Sequence, residues 1–305
     1  MNELAVTFEQ GTRNLAISDD TKGLIRSGVS ENTLRAYRRA LDNLAGWINA
    51  PLDDAVLAEY ITHLHQLGKS PSTIAQVVAA VKWQAKNIGQ PEIVGAITLR
   101  TLAGIRREGK DRGRGQVDGI TWSEMERVCS FAEASKTLSG LRDSALIRLM
   151  SDCLLRISEA VAVDVENLDK VLVLRSSKTD QEGEGAALYV GAPTHKAIRK
   201  YRESGAIESG ALFRRIRFHK HITGDRLSVD GARAAIKRWS IEAGVEGFIS
   251  GHSLRVGSAV SLAQAGATVV DMQTAGRWKN PAMPAHYAKA ELAERGAVAR
   301  FRYGK

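Results

Sequence analysis

The chain reads as a mainly α-helical protein of two domains, the second of α+β type with one small antiparallel sheet. Three observations predict this. From Ser30 to Arg107, apolar residues recur three and four positions apart, the period of a helix buried on one face. A glycine-rich, charged segment from Glu108 to Gly115, with no apolar residue, interrupts that pattern. Beyond it the period shortens to that of a strand at Val171–Leu174 and Ala187–Val190, then turns helical again. A chain of 305 residues is long enough for two domains.

Residues 1–29 lack periodicity and read as a flexible N-terminal arm. Ser30 then offers an N-cap. Leu34, Tyr37, Leu41, Leu44 and Ile48 follow on one helical face, and Arg35, Arg38 and Arg39 fall largely off it. A second helix follows Asp53-Asp54, with Leu57, Tyr60, Ile61, Leu64 and Leu67 inward and Gly68 as its stop. Ser70-Pro71 pairs a cap residue with proline at the first helical position. Ile74, Val77, Val78, Val81 and Ile88 carry that helix, which also bears Lys82, as far as Gly89 and Pro91. A helix around residues 95–107 holds Leu99, Leu102 and Ile105 and ends in Arg106 and Arg107. Residues 30–108 thus form one helical domain with basic outer faces, and residues 109–119 form a linker.

In the second domain, residues 120–305, Thr121 and Glu124 spell a capping box opening a helix with Met125, Val128 and Phe131. A longer helical run, 140–162, passes through Arg156 and Glu159. Val163 and Val165 offer a third strand beside the two named above. Helices resume at Pro193–Tyr201 and at Ser228–Ala243, the latter with Arg233, Lys237 and Arg238 outward. The segments 253–265 and 268–275, joined by Gly266-Ala267, form a helix pair.

Lys and Arg outnumber Asp and Glu 43 to 34. That excess suits a polyanionic partner, because neutralising phosphates supplies much of nucleic-acid affinity. The two cysteines, Cys129 and Cys153, lie in apolar helical patterns outside any C-x-x-C spacing, as buried free thiols of a reducing compartment do. No apolar run approaches the ~18 residues of a membrane span. No secretory leader is visible at the N-terminus. An intracellular, cytoplasmic protein is the expectation, with no membrane contact.

Several residues sit where their local pattern does not require them. Arg156 follows two leucines and precedes Ile157, so the pattern draws it toward the core, where an arginine needs a partner. Glu159 is three positions on and can supply it. The pair is either a structural brace or an arginine held rigid to fork a phosphate. Lys178 lies in the turn between the two strands, either solvated or placed as a general acid. His252 and Arg255 open an apolar helix, where the N-terminus favours anions; a satisfied core pair fits them equally. Trp278 can pack or donate one N–H. Tyr287 can pack or act as a nucleophile.

Together and in this order, Arg156, Glu159, Lys178, His252, Arg255, Trp278 and Tyr287 resemble the active-site set of the tyrosine recombinase (phage integrase) family. The stretches Leu154-Leu155-Arg156-Ile157-Ser158-Glu159-Ala160 and Gly251-His252-Ser253-Leu254-Arg255-Val256-Gly257 look most like its Cre-type members, as does tryptophan at 278, where most of the family has histidine. The resemblance spans nearly the whole chain beyond the arm. It implies a core-binding domain and a catalytic domain forming a C-shaped clamp on double-stranded DNA. It also implies an inverted-repeat target site, a dimer per site and a homotetramer on two sites, with exchange through a Holliday junction. Arg156, Arg255, His252 and Trp278 would hold the phosphate, Glu159 would brace Arg156, and Lys178 would protonate the leaving 5′-oxygen. Tyr287 would form a 3′-phosphotyrosyl bond, with no metal and no cofactor. The tail beyond Tyr287, with Leu292, Val298 and Phe301, would dock on a neighbouring protomer. Such enzymes belong to the bacterial cytoplasm and are carried by phages or plasmids. Arg35, Arg38, Arg39, Lys82, Arg106, Arg107, Arg233, Lys237 and Arg238 are the candidate DNA contacts. Two other readings are a type IB topoisomerase-like nicking-closing enzyme and a DNA-binding protein without catalysis, using 253–275 as a helix-turn-helix.

Overall fold

Capping residues decide where the first helices begin. A computed structural model describes residues 18, 20–21, 23–24, 28–87, 92–112, 115–174, 185–217, 221–294 and 296–304. The chain divides into two compact units, residues 1–115 and 116–305. In the first, α1 (Glu31–Ala45) starts where the Ser30 hydroxyl accepts from the Thr33 N–H, and α2 (Asp54–Gln66) where Asp53 accepts from the Val56 N–H. α3 (Pro71–Asn87) and α4 (Ala96–Glu108) complete the unit. Leu44, Leu57, Ile61, Ile74, Val78, Val81, Leu102 and Ile105 form its core. Leu67 and Leu99, expected inward, are exposed. Leu67 lies just past the last turn of α2, and α4 turns Thr98, Leu102 and Ile105 inward instead. Ile88, Gly89 and Pro91 lie outside the described residues.

One carboxylate joins α2 to α4. Asp54 accepts from the N–H groups of Gly95, Ile97 and Thr98 at 2.8, 2.9 and 3.0 Å, so it caps a helix 41 residues away in sequence. A Cβ at position 95 would sit 2.5 Å from its Oδ2, which explains the glycine there. Desolvation works against the charge, but the hydrogen bonds from Thr98, Ile97 and Gly95 win and bring the Asp54 carboxyl down to about 2.

The second unit opens with α5 (Trp122–Ala134), whose capping box pairs Thr121 and Glu124. Its buried stripe is Met125, Val128, Cys129 and Ala132; Phe131 faces outward. α6 (Leu138–Asp152) is buried along most of its length. Its charges are paired accordingly. Asp143 accepts from Arg142, Arg238 and the Trp239 indole at 2.8, 3.0 and 2.9 Å, and Arg148 donates to both oxygens of Glu126 at 2.7 Å. Both cysteines are free and buried, and burial pushes each thiol up to about 12.

The expected single helix over 140–162 is two. α6 stops at Asp152, Leu154 takes a left-handed conformation (φ 47°), and α7 (Ile157–Ala162) restarts with Arg156 as its N-cap. β1 (Val171–Leu174) and β2 (Ala186–Tyr189) pair antiparallel with Val171 opposite Tyr189. The strand expected from Val163 and Val165 is absent: Val163 ends α7, and Val165–Asn167 is a 3₁₀ turn. α8 (Ala192–Gly205) follows. A second antiparallel hairpin, β3 (Arg214–Arg217) and β4 (His221–Arg226), went unpredicted because arginines fill its strands and only Ile216 and Ile222 pack on the core. α9 (Val229–Glu242) and α10 (Ser253–Gln264) then cover α6 and α5. A Cβ at Gly257 would sit 1.8 Å from the Ile120 carbonyl oxygen, so α10 lies against the backbone that enters this unit only because position 257 is glycine. α11 (Val269–Gly276), α12 (Ala282–Tyr287), α13 (Lys289–Glu294) and α14 (Ala297–Tyr303) close the chain. Leu292, expected with the tail to dock on a neighbouring protomer, packs back on Ala263, Met272 and Ala288; Val298 and Phe301 are exposed. No described helix is long and apolar enough to cross a membrane.

Because the folded-state pKa of Asp54 lies below its unfolded value, its contribution is present above the usual carboxylate range and is lost as pH falls toward about 2. Asp54→Ala therefore lowers the thermal midpoint of the first unit at pH 7, and the difference from wild type shrinks between pH 4 and about 2. Calorimetry across that range measures it.

Candidate active site

The break between α6 and α7 creates the first wall of the site. As N-cap of α7, Arg156 places its backbone N–H 3.0 Å from Glu159 Oε2 and its guanidinium 2.6 Å from Glu159 Oε1. The carboxylate thus caps the helix and holds the arginine at once. Burial alone would raise the Glu159 carboxyl, but donation from Arg156 and the charges of Arg277 and Arg156 outweigh it and keep Glu159 below its ordinary range. The Arg156 side chain remains 21% exposed, so this arginine is reachable from solvent.

The second wall is the start of α10. His252 is its N-cap and Arg255 lies one turn in, fully buried. Arg255 donates to the backbone carbonyls of Leu154 and Gly276. One guanidinium therefore ties the α6–α7 turn to the end of α11. The Trp278 ring covers it, with the guanidinium carbon 4.3 Å from the ring centroid. Gly276 makes room, because a Cβ there would meet the Trp278 ring at 1.9 Å. Desolvation and the neighbouring Arg156 and Arg277 push Arg255 down from the usual arginine range; it stays cationic at neutral pH.

Tyr287 ends α12 and faces both walls. Its hydroxyl is 3.2 Å from His252 Nε2, and its ring centroid is 5.8 Å from that of Trp278. Burial, then the charges of Arg255 and Arg156, hold His252 below its ordinary value, so the imidazole is neutral at pH 7 and can accept the phenolic proton. Burial raises the Tyr287 phenol despite the opposing pull of Arg255 and Arg156.

Of the sequence candidates, Arg156, Glu159, His252, Arg255, Trp278 and Tyr287 converge. Lys178 lies outside the described residues. Arg277 was missed: it donates to the Cys153 carbonyl at 3.0 Å and to Glu159 Oε2 at 2.9 Å. Nothing in the local pattern distinguishes it from a solvated arginine. Arg156, Arg255 and Arg277 against Glu159 leave an excess of two positive charges, which suits a doubly charged phosphorane-like state.

The candidate DNA contacts divide. Arg38, Arg39, Arg106, Arg107 and Lys237 are exposed. Arg35 bonds Asn32, Lys82 pairs with Glu92 at 3.4 Å, and Arg233 pairs with Asp230. Arg238 pairs with buried Asp143 and lies over Trp239, with its side chain 41% exposed. The β3–β4 hairpin adds exposed Arg215 and Arg217, hidden from pattern reading by the missed strands.

Comparison with known proteins gives the family. The phage integrase family model matches residues 120–294, and the phage integrase N-terminal SAM-like domain matches residues 22–83. The chain belongs to the phage integrase family, and its activity is site-specific recombination by breaking and rejoining DNA. It is 27% identical over 274 residues to an integrase/recombinase xerD homolog of Selenomonas ruminantium, covering 82% of this chain and 79% of that protein. It is 23% identical over 305 residues to recombinase cre of Escherichia phage P1, covering 90% and 89%. In fold it is similar to XerH site-specific recombinase bound to its palindromic difH substrate (TM-score 0.67, 15% identity, 91% and 83% covered). It is also similar to a lambda integrase(75-356) dimer bound to a COC' core site (TM-score 0.63, 16% identity, 88% and 93% covered).

Arg255→Lys keeps a charge but can reach only one of the two carbonyls, leaving a buried acceptor unsatisfied at a cost of about 1–3 kcal/mol. Urea denaturation of the variant should show a lowered midpoint with an unchanged slope.

Proposed function

We propose that Tyr287 is the nucleophile of strand cleavage. The observation that carries this is the 3.2 Å contact between its hydroxyl and neutral His252, inside a frame with two excess positive charges. The Tyr287 oxygen attacks phosphorus, and the P–O5′ bond breaks. A 3′-phosphotyrosyl link and a 5′-hydroxyl result. The phenolic proton passes to His252 Nε2. The departing oxygen takes a proton from Lys178, the role that the family resemblance gives it. Rejoining is the reverse step, and the energy of the broken bond stays in the covalent link.

Arg156, the exposed arginine of the frame, contacts the non-bridging oxygens. Arg255 has both terminal nitrogens on carbonyls, so it acts through its charge and by fixing both walls, and Trp278 shields it from water. Such fixed cations stabilise the transition state more than the ground state, because charge accumulates on the oxygens as the phenolate arrives.

Residues 30–108 serve as the core-binding domain, 109–119 as the linker and 120–305 as the catalytic domain. The XerH and lambda integrase structures are of DNA-bound recombinases, which supports a double-stranded DNA site read here by Arg38, Arg39, Arg106, Arg107 and Lys237. A dimer on an inverted repeat, and four protomers exchanging strands through a Holliday junction, follow the family pattern. α14, with Val298 and Phe301 outward, is assigned to docking between protomers. A bacterial cytoplasmic setting on a phage or plasmid fits the relatives.

A nicked suicide substrate carrying the cognate site should yield a covalent complex with wild type and none with Tyr287→Phe. Arg156→Ala should cut the cleavage rate about 10²–10³-fold, the usual loss for one preorganised donor. Binding without any wild-type adduct would refute the assignment. Because neutral His252 is the proton acceptor, single-turnover cleavage should be level near pH 7. It should fall as pH drops below 6.5 toward the lowered value of His252, and stopped assays at graded pH measure this.

A further inference from the structure

We propose that Arg277 is a positioning residue for strand cleavage, acting on Arg156 through Glu159. The inference rests on the reading of Arg156 as the phosphate-contacting arginine. Glu159 has two oxygens and two arginines. Oε1 takes Arg156 at 2.6 Å and Oε2 takes Arg277 at 2.9 Å, while Oε2 also accepts the Arg156 backbone N–H. With Arg277 absent, the carboxylate is free to turn both oxygens toward Arg156, and the direction of that guanidinium is no longer unique. Arg277 also donates to the Cys153 carbonyl at 3.0 Å, inside the turn that sets Arg156 at the start of α7.

Its own backbone adds a second argument. Arg277 has φ 55°, a left-handed conformation that favours glycine, and Leu154 across the site has φ 47°. A non-glycine residue persists in such a conformation when its surroundings over-determine it. Here the surroundings are the Glu159 and Cys153 contacts, together with Trp278 packed on Arg255 immediately afterward. The Arg277 side chain is only 13% exposed, and both terminal nitrogens are already used, so it has little to offer DNA directly.

The position itself supplies a clean variant. Glycine accepts φ 55° without strain, so Arg277→Gly keeps the turn and deletes only the side chain. Single-turnover cleavage should fall roughly 10–100-fold, by analogy with the loss of a group that orients a metal ligand. Affinity for the cognate duplex should change less than about twofold, because the buried side chain makes few DNA contacts. Arg277→Lys, which retains one donor and the charge, should recover part of the rate. In a Glu159→Gln background, Arg277→Gly should add little further loss, since the two act along one path. An unchanged cleavage rate in Arg277→Gly, a matching loss of affinity, or full additivity with Glu159→Gln would each overturn the proposal. Failure of wild type to form any covalent complex would instead defeat the reading of the site on which it rests.

Discussion

The Glu159 carboxylate is the point on which the cationic site depends. Three arginines gathered with no anion would repel one another and would carry a large desolvation penalty. Glu159 answers two of them directly, Arg156 through Oε1 and Arg277 through Oε2, and caps α7 with the same group. Arg255 is answered differently, by the carbonyl oxygens of Leu154 and Gly276 and by the face of Trp278. The frame is therefore held together without being neutralised. Two positive charges are left over, and of the three arginines Arg156 is the most open to solvent.

Backbone geometry makes this possible. Arg156 and Arg255 come from segments about a hundred residues apart, and left-handed residues turn the chain beside them at Leu154 and at Arg277. Each turn aims a carbonyl inward, from Leu154 and from Gly276, and Arg255 collects both. Gly257 and Gly276 are the complementary concessions: one lets α10 approach the Ile120 backbone, and the other lets the Trp278 ring lie flat over the guanidinium. Tyr287 arrives at the end of a six-residue helix, α12, directly against His252. The groups it faces are held by contacts across the site: Arg156 by Glu159, and Arg255 by the carbonyls of Leu154 and Gly276.

Much of this was legible in the sequence, for physical reasons that differ by element. Caps such as Ser30, Asp53 and the Thr121–Glu124 box are local, so they mark helix starts reliably. Arg156 and Glu159 stand out because a charged pair interrupts an apolar run. Their true relation is cap and capping partner, where the spacing suggested two neighbours on a continuing helix. No glycine or proline marks the break: Leu154 takes the left-handed conformation itself, with the Leu155 N–H donating back to the Met150 carbonyl at 3.0 Å. Arg277 was invisible because its partners lie 118 and 124 residues away. The β3–β4 hairpin was hidden because its outward arginines leave only Ile216 and Ile222 to show a strand period. The Val163–Val165 alternation misled in the opposite sense, because Val163 is buried and Val165 packs on the core while only an isolated bridge from Asp164 to Ala211 forms between them.

The most direct measurement is chemical location of the bond between protein and DNA. Digestion with trypsin after trapping on a suicide substrate releases the peptide Asn280–Lys289, in which Tyr287 is the only tyrosine. Mass spectrometry should find a nucleotide joined through its 3′-phosphate to Tyr287. A nucleotide on any other residue, Tyr303 included, or a peptide recovered unmodified from a confirmed covalent complex, would contradict the account.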